Sequence, residues 1–276
     1  MILAYNTNGF AHHRLDDAVA ILAELGYRGI ALTPDVNHLD QKTKGFDSAC
    51  DHLASQLREF NLKCVVETGA RFVLDPRQKH QPTLISPDRI GRLERLDFLG
   101  HSLGIAARLG GDCLSFWSGT STDDAPHAVL MTRLVEGCQR LVEFAAKSNL
   151  RLAFEPEPGM FIDTMDKFEE LHAKVNHQNF GLTLDLGHLV CNGELPIRKH
   201  ILKWKDWLWN VHIEDMKRGV HDHLMFGEGE LDFADAFAGL RAINYAGMVS
   251  VELSRHSYDA VNAARKSMAF LKPFAE

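Results

Sequence analysis

FGLTLD, residues 180–185, is a short run of alternating character that ends on a carboxylate. Strand side chains point alternately to two faces, so Leu182 and Leu184 share one face while Thr183 and Asp185 share the other. Three further stretches repeat the design: LRLAFE (150–155), LWNVH (208–212) and MVSVE (248–252). In each, the large apolar side chains fall on the face suited to covering helices. Glu155, His212 and Glu252 fall on the opposite face, at the strand's C-terminal end. Helix-like stretches separate the four runs. Strands alternating with helices imply parallel pairing, and polar groups at successive strand ends mark the catalytic rim of a β/α barrel.

The rest of the chain supplies the missing staves. ILAYNT opens it, and Leu15, Val19, Leu22 and Leu25 follow at helical spacing. GIALT (29–33), a helix over 48–60 and LKCVVE (62–67) come next. An irregular segment follows over 69–88, then a helix over 89–109, DCLSFW (112–117) and a helix over 125–148. Thr164 is placed to cap a helix over 165–176. A Trp-rich helix is expected at 196–207, a His- and Gly-containing loop at 217–230, and a helix from near Asp232. The last helix carries Val261, Ala264, Met268 and Leu271. Eight βα units predict an α/β fold: a single (β/α)8 TIM barrel over residues 1–276. Its active site lies at the C-terminal ends of the strands, and its β3–α3 loop, about 69–88, is longer than the others. An open α/β sheet is the alternative; the absence of GxGxxG after the first strand argues against a dinucleotide site.

The composition is that of a globular protein, 45% hydrophobic and 24% charged over 276 residues. A net charge of −7 speaks against nucleic acid and anionic membrane as partners. Cys50, Cys64, Cys113, Cys138 and Cys191 show no CxxC spacing and read as reduced thiols. With no signal-peptide pattern and no apolar run of spanning length, a cytoplasmic location is expected. A homo-oligomer is expected, with Trp204, Trp207 and Trp209 read as packing or interface residues.

Three carboxylates gathered without a cation would repel one another and lose solvation. A divalent ion removes both problems. Glu155, Asp185, His212 and Glu252 are therefore read as a metal site of mixed O/N ligation, suited to Mn, Co, Mg or Zn. Taken singly, each could be a capping or solvated residue; four on matching strand positions argue for convergence.

The EP of LAFEPEP, the DLGH of LTLDLGH, the HIED of VHIEDMKR and the E of VSVELS resemble the xylose isomerase-like TIM-barrel superfamily. That group includes sugar and sugar-phosphate isomerases, ketose 3-epimerases, inosose dehydratases and apurinic-site endonucleases. The resemblance implies that Glu155, Asp185, His212 and Glu252 hold the ion, and that Glu155 and Glu252 are the acid/base pair. It also implies that His188 and Arg218 contact substrate. The epimerases' further substrate-binding glutamate falls here on Phe161, with Glu157 as the nearby substitute. The loop HDHLMFGEGELDF resembles the endonuclease branch, so His188, His221 and His223 are candidates for a second metal. His221 and His223 could equally be substrate contacts. The fourth strand lacks the endonucleases' histidine, which argues against a three-zinc site.

Further candidate substrate contacts are Glu67, Arg71, Trp117, Arg255 and His256. Arg71, Arg77, Lys79 and His80 would make the long loop a cationic lid; a solvated excursion is the plain alternative. Trp117 reads as an apolar wall or a core residue. Asn6, Asn8, Asp35 and His38 follow the first two strands and are minor candidates. The leading functional reading is a metal-dependent isomerase or epimerase of a sugar, cyclitol or related hydroxy-ketone. A dehydratase or lyase on a keto-sugar or inosose is the alternative. A zinc phosphodiesterase on damaged DNA is a third reading, disfavoured by the charge and the missing histidine.

Overall fold

Each stave has an apolar side for helices and a small or polar side for the interior, and the chain closes on itself accordingly. The structure, a computed structural model, describes residues 1–275. Its elements in chain order begin with β1 (Ile2–Asn6), α1 (Leu15–Glu24), β2 (Gly29–Leu32), α2 (Phe46–Glu59) and β3 (Lys63–Glu67). They continue with α3 (Arg89–Arg108), β4 (Cys113–Phe116), α4 (His127–Lys147), β5 (Arg151–Phe154) and α5 (Met165–Val175). Then come β6 (Phe180–Asp185), α6 (Leu186–Asn192), α7 (Ile197–Lys203), β7 (Leu208–Ile213), β8 (Asp215–Lys217) and β9 (Val220–Leu224). The chain ends with α8 (Phe233–Ala242), β10 (Met248–Val251) and α9 (Ala260–Ala275).

The barrel order is β1-β10-β7-β6-β5-β4-β3-β2, and every pair is parallel. This is the predicted (β/α)8 barrel. The interior is built in storeys. Ala4, Val65, Cys113, Ala153 and Met248 form the floor, with Ile2 and Trp209 against them. A polar belt lies above it, where the Ser115 and Thr183 hydroxyls are 2.8 Å apart. The next inward positions carry Glu67, Glu155, Asp185, His212 and Glu252. The outward faces, including Leu152, Phe154, Leu182, Leu184, Val211 and Val251, are buried against the helices. Burying such side chains is worth about 1.5–3 kcal/mol each, which fixes strand parity and so fixes which residues face inward.

The helix boundaries follow local chemistry. Asp88 caps α3 by accepting from the Gly91 N–H at 2.6 Å, and Thr164 caps α5 as predicted. Asp232 caps α8 through the Asp235 N–H. Residues 68–88 link β3 to α3, matching the long irregular segment. Trp204 packs on Phe168 and Trp207 on His172, with ring centroids 4.8 and 4.7 Å apart. No described helix is long and apolar enough to cross a membrane.

Three features differ from the expectation. The Trp-rich helix expected at 196–207 ends at Lys203, before its tryptophans. DLGH opens a short helix, α6, that its seven residues are too few to announce by periodicity. The expected 217–230 loop instead contains an antiparallel hairpin, β8–β9. The hairpin is anchored by buried Asp215, whose carboxylate accepts from the N–H groups of Gly227 (2.9 Å), Gly229 (2.8 Å) and Leu231 (3.0 Å). Gly229 lies so close to that carboxylate that a Cβ there would collide with it.

Candidate metal centre

Four staves deliver Glu155, Asp185, His212 and Glu252 to one place. Each offers a ligand atom, and these atoms all lie within 4.8 Å of one another. His212 Nδ1 is 3.0 Å from Glu155 Oε1 and 3.0 Å from Glu252 Oε2. Asp185 divides its work: Oδ1 accepts from the His188 N–H at 2.8 Å and caps α6, while Oδ2 is buried with no hydrogen-bond partner. A buried carboxylate oxygen without a donor is costly. That orphaned atom, within a set of three carboxylates and an imidazole, fits a divalent cation with mixed O/N ligation.

The electrostatics of the protein chain alone show the same strain. Burial pushes Glu155 up to about 8 against the pull of His212. Burial would raise Glu252 too, but His212, His223 and the Asn8 amide outweigh it and hold Glu252 below the usual carboxylate range. Burial disfavours a charged His212, yet Glu67, Glu155 and Glu252 hold it well above the ordinary histidine value. One imidazolium is thus compensating several carboxylates, the job a cation would take over.

The other side of His212 is also occupied. Its Nε2 is 2.9 Å from Glu67 Oε1, which also accepts from Asn210 Nδ2 at 2.9 Å. Glu67, expected as a substrate contact, lines the cavity over the cluster, and its carboxylate also orients the His212 imidazole. Its neighbours on β7 explain why: Asn210 and His212 share a face, so both reach the same carboxylate.

Above the cluster lies a cavity of about 340 Å³. His188, Arg71, Trp117, His221, His223 and Arg255, the expected substrate contacts, line it. Trp117 is held between the Arg95 guanidinium, 4.5 Å from its ring, and His80, edge-on at 5.1 Å. Arg255 is paired with Asp222 at 2.5 Å, and Arg71 with Asp35 at 3.3 Å. Two expected contacts fall elsewhere. Arg218 sits at the exposed hairpin turn and leans over Gly193, away from the cavity. His256 lies in a 3-10 turn (Ser254–Asp259) that carries it away from the cavity and beside Tyr258, ring centroids 6.4 Å apart. Phe161 packs on His127, whereas Glu157 lines the cavity. Burial, then Glu155, push the Glu157 carboxyl well above its usual range.

His188, His221 and His223 bring ligand atoms within 4.8 Å of one another, forming a second cluster. His188 Nδ1 lies 3.1 Å from the Pro156 carbonyl, leaving Nε2 facing His221 Nε2 at 3.1 Å. His223 Nδ1 lies 3.0 Å from the Glu252 carbonyl oxygen.

Three residues take their roles from the structure. Asn8, a minor candidate in the sequence, donates to Glu252 Oε1 at 2.8 Å across the β1–β10 seam. Asn210 supports Glu67; its inward parity was legible, but its partner on β3 was not. Glu214 is fully buried beside Asp185 with neither carboxyl oxygen hydrogen-bonded, and burial followed by Asp185 raises its pKa well above normal. Its place two residues past His212 was the available signal.

A closed parallel barrel with acids and imidazoles converging at one mouth defines the (β/α)8 class, whose sites are built at the C-terminal ends of the strands. The xylose isomerase-like TIM-barrel family model matches residues 19–274, and the chain belongs to that family. It is 24% identical over 183 residues to an inosose dehydratase of Lacticaseibacillus casei, covering 58% of this chain and 61% of that protein. The chain thus matches less than two thirds of that relative's length. It is 23% identical over 193 residues to the L-ribulose-5-phosphate 3-epimerase UlaE of Shigella flexneri, covering 70% of this chain and 68% of the relative. Among solved structures, the IolI protein with a bound zinc atom superposes with a TM-score of 0.79 at 18% identity, covering 99% and 98% of the two chains. The 3-keto-D-glucoside 4-epimerase YcjR from E. coli gives 0.81 at 19%, covering 99% of each.

Proposed function

We propose that the protein is a divalent-cation-dependent epimerase or isomerase of a sugar, cyclitol or related hydroxy-ketone. Glu155, Asp185, His212 and Glu252 are the proposed ligands, and Glu155 and Glu252 the acid/base pair. The observation that carries this reading is the approach of two glutamates, from staves β5 and β10, to one imidazole nitrogen beneath a polar cavity. A bound divalent ion supplies Lewis acidity at a carbonyl and its neighbouring hydroxyl. Glu252 and Glu155 reach the acidified carbon from different sides of the barrel. One takes the proton and the other returns one, so the two exchange roles between the two epimers of the substrate. Asn8 holds Glu252 Oε1 in place, and Glu67 fixes the His212 ring so that Nδ1 faces the cluster. His188 and His221 are the proposed contacts to substrate oxygens, with Trp117 as an apolar wall.

The reading is tested with the cation-loaded protein in deuterated water, using ketoses, keto-inositols and sugar acids as probes. Deuterium entering a carbon next to the carbonyl, with an epimeric or isomeric product, is the expected result. No exchange into any probe overturns it. A dehydratase is the second reading, favoured by the raised Glu157 carboxyl in the cavity. Such a group, in which burial favours the protonated form, would give its proton to a departing hydroxyl while Glu155 or Glu252 takes one from carbon. Loss of water and an ultraviolet-absorbing product would select that reading. A second cation on His188, His221 and His223 is a further proposal, read by metal analysis as two ions per chain rather than one.

The support from Glu67 has its own test. A carboxylate behind a liganding imidazole raises its basicity and fixes its tautomer. Glu67→Gln is expected to weaken cation binding about tenfold, measured by competition with a chelator. Unchanged affinity would return Glu67 to the role of a substrate contact.

A further inference from the structure

A second cavity of about 290 Å³ adjoins the one over the ligand cluster. The two share Asn8, Thr33 and Arg71 as lining residues, so Arg71 is a partition within a longer cleft rather than its end. The partition is fixed: the Arg71 guanidinium is paired with Asp35 at 3.3 Å and reaches the Asn8 carbonyl at 3.4 Å. Asn8 stands at the junction. It is 9% exposed, its amide nitrogen is committed to Glu252, and its Oδ1 is buried without a partner. A buried acceptor with no donor, beside two joined cavities, marks a place for a ligand hydroxyl.

The outer chamber has a defined chemistry. Val36, 60% exposed, and Phe72, 48% exposed, come from two different loops and give it an apolar face. Asp35, Asn37 and His12 give it a polar edge. A sugar ring has the matching pair of surfaces, C–H groups on its faces and hydroxyls on its rim. An anionic group is a poor match. The only arginine there is already neutralised by Asp35, and His38 is kept uncharged by burial and lies 3.0 Å from the His13 carbonyl.

We propose that this chamber binds a neutral second sugar ring joined to the reacting ketose, so that the substrate is a glycosylated sugar rather than a free one. The proposal rests on the reading of the inner cavity as a ketose site. It is tested by calorimetric binding to the Mn²⁺-loaded full chain. The probes are D-fructose and three glucosyl-fructoses, turanose, leucrose and isomaltulose, which differ in the fructose hydroxyl that carries glucose. At least one is expected to bind about tenfold more tightly than fructose. Val36→Trp, which fills the chamber, and Phe72→Ala, which removes its aromatic face, should each erase most of that difference. Equal affinities, no binding by any disaccharide, or a preference that survives both variants would overturn the proposal. Deuterium exchange on the same probes separates the two ideas. Exchange into fructose with no disaccharide preference leaves the reaction standing and removes the chamber. A preference erased by the variants, with no exchange anywhere, does the reverse.

Discussion

Glu252→Gln is expected to lower turnover about 1,000-fold, within the range ascribed to a positioned general acid or base. In barrier terms that is about 4 kcal/mol. Glutamine keeps the size of the side chain and a carbonyl oxygen that can still accept from Asn8 Nδ2, now 2.8 Å from Glu252 Oε1. It loses the charge and the ability to take a proton. Glu252 is also a proposed ligand, so chemistry and architecture are separated by two readings: the chelated variant should melt close to the chelated parent, while deuterium exchange at saturating cation collapses. Turnover within about tenfold of the parent would show that no proton passes through Glu252. A large loss accompanied by unfolding would be a structural effect, so the melting curve is part of the measurement.

The second large effect is on the cation and pH together. Glu155, pushed up to about 8 by burial, and His212, held well above its ordinary value by Glu67, Glu155 and Glu252, both carry protons near neutrality without an ion. Both must release them to act as ligands, so cation binding should expel about two protons near pH 6.5 and tighten as pH rises. A group whose folded pKa lies above its unfolded value stabilises the fold at low pH and loses that contribution as pH rises through the folded value. For Glu155 the window runs from about 4.3, the ordinary glutamate value, to about 8. Glu252, held low, acts in the opposite sense and only on strong acidification. Chelated protein should thus lose stability between pH 5 and 8 relative to loaded protein. At free ion about 1,000 times Kd the gap is about 4 kcal/mol, or about 10 °C in melting temperature. Calorimetry in buffers of different ionisation enthalpy reads the protons, and melting curves read the gap. A gap independent of pH, or none on chelation, would mean that these side chains do not hold an ion.

The barrel and the convergence of Glu155, Asp185, His212 and Glu252 were legible because both depend on strand parity. Large outward residues such as Phe154 and Leu184 leave their neighbours no choice of face. What was not legible depends on partners distant in sequence. Nothing local to Glu67 shows that His212, 145 positions away, will occupy its carboxylate. Arg218 was assigned by its distance from His212, and the hairpin at 215–224 took it elsewhere. That hairpin hides because VHDHL is polar between its two end residues and is held by backbone donors to Asp215 rather than by a buried apolar face. His256 was placed by proximity to Glu252, and a 3-10 turn rotates it away.

The hydrogen bond from Asn8 to Glu252 spans the seam where the first stave meets the last. During synthesis the residues of β1 leave the ribosome long before those of β10, so the ring of ligands stays incomplete until nearly the whole sheet has emerged. In the proposed metal site, capture of an ion would then reward docking of the final stave. A nascent chain still short of β10 has three of the four groups and a weaker hold on any cation it meets.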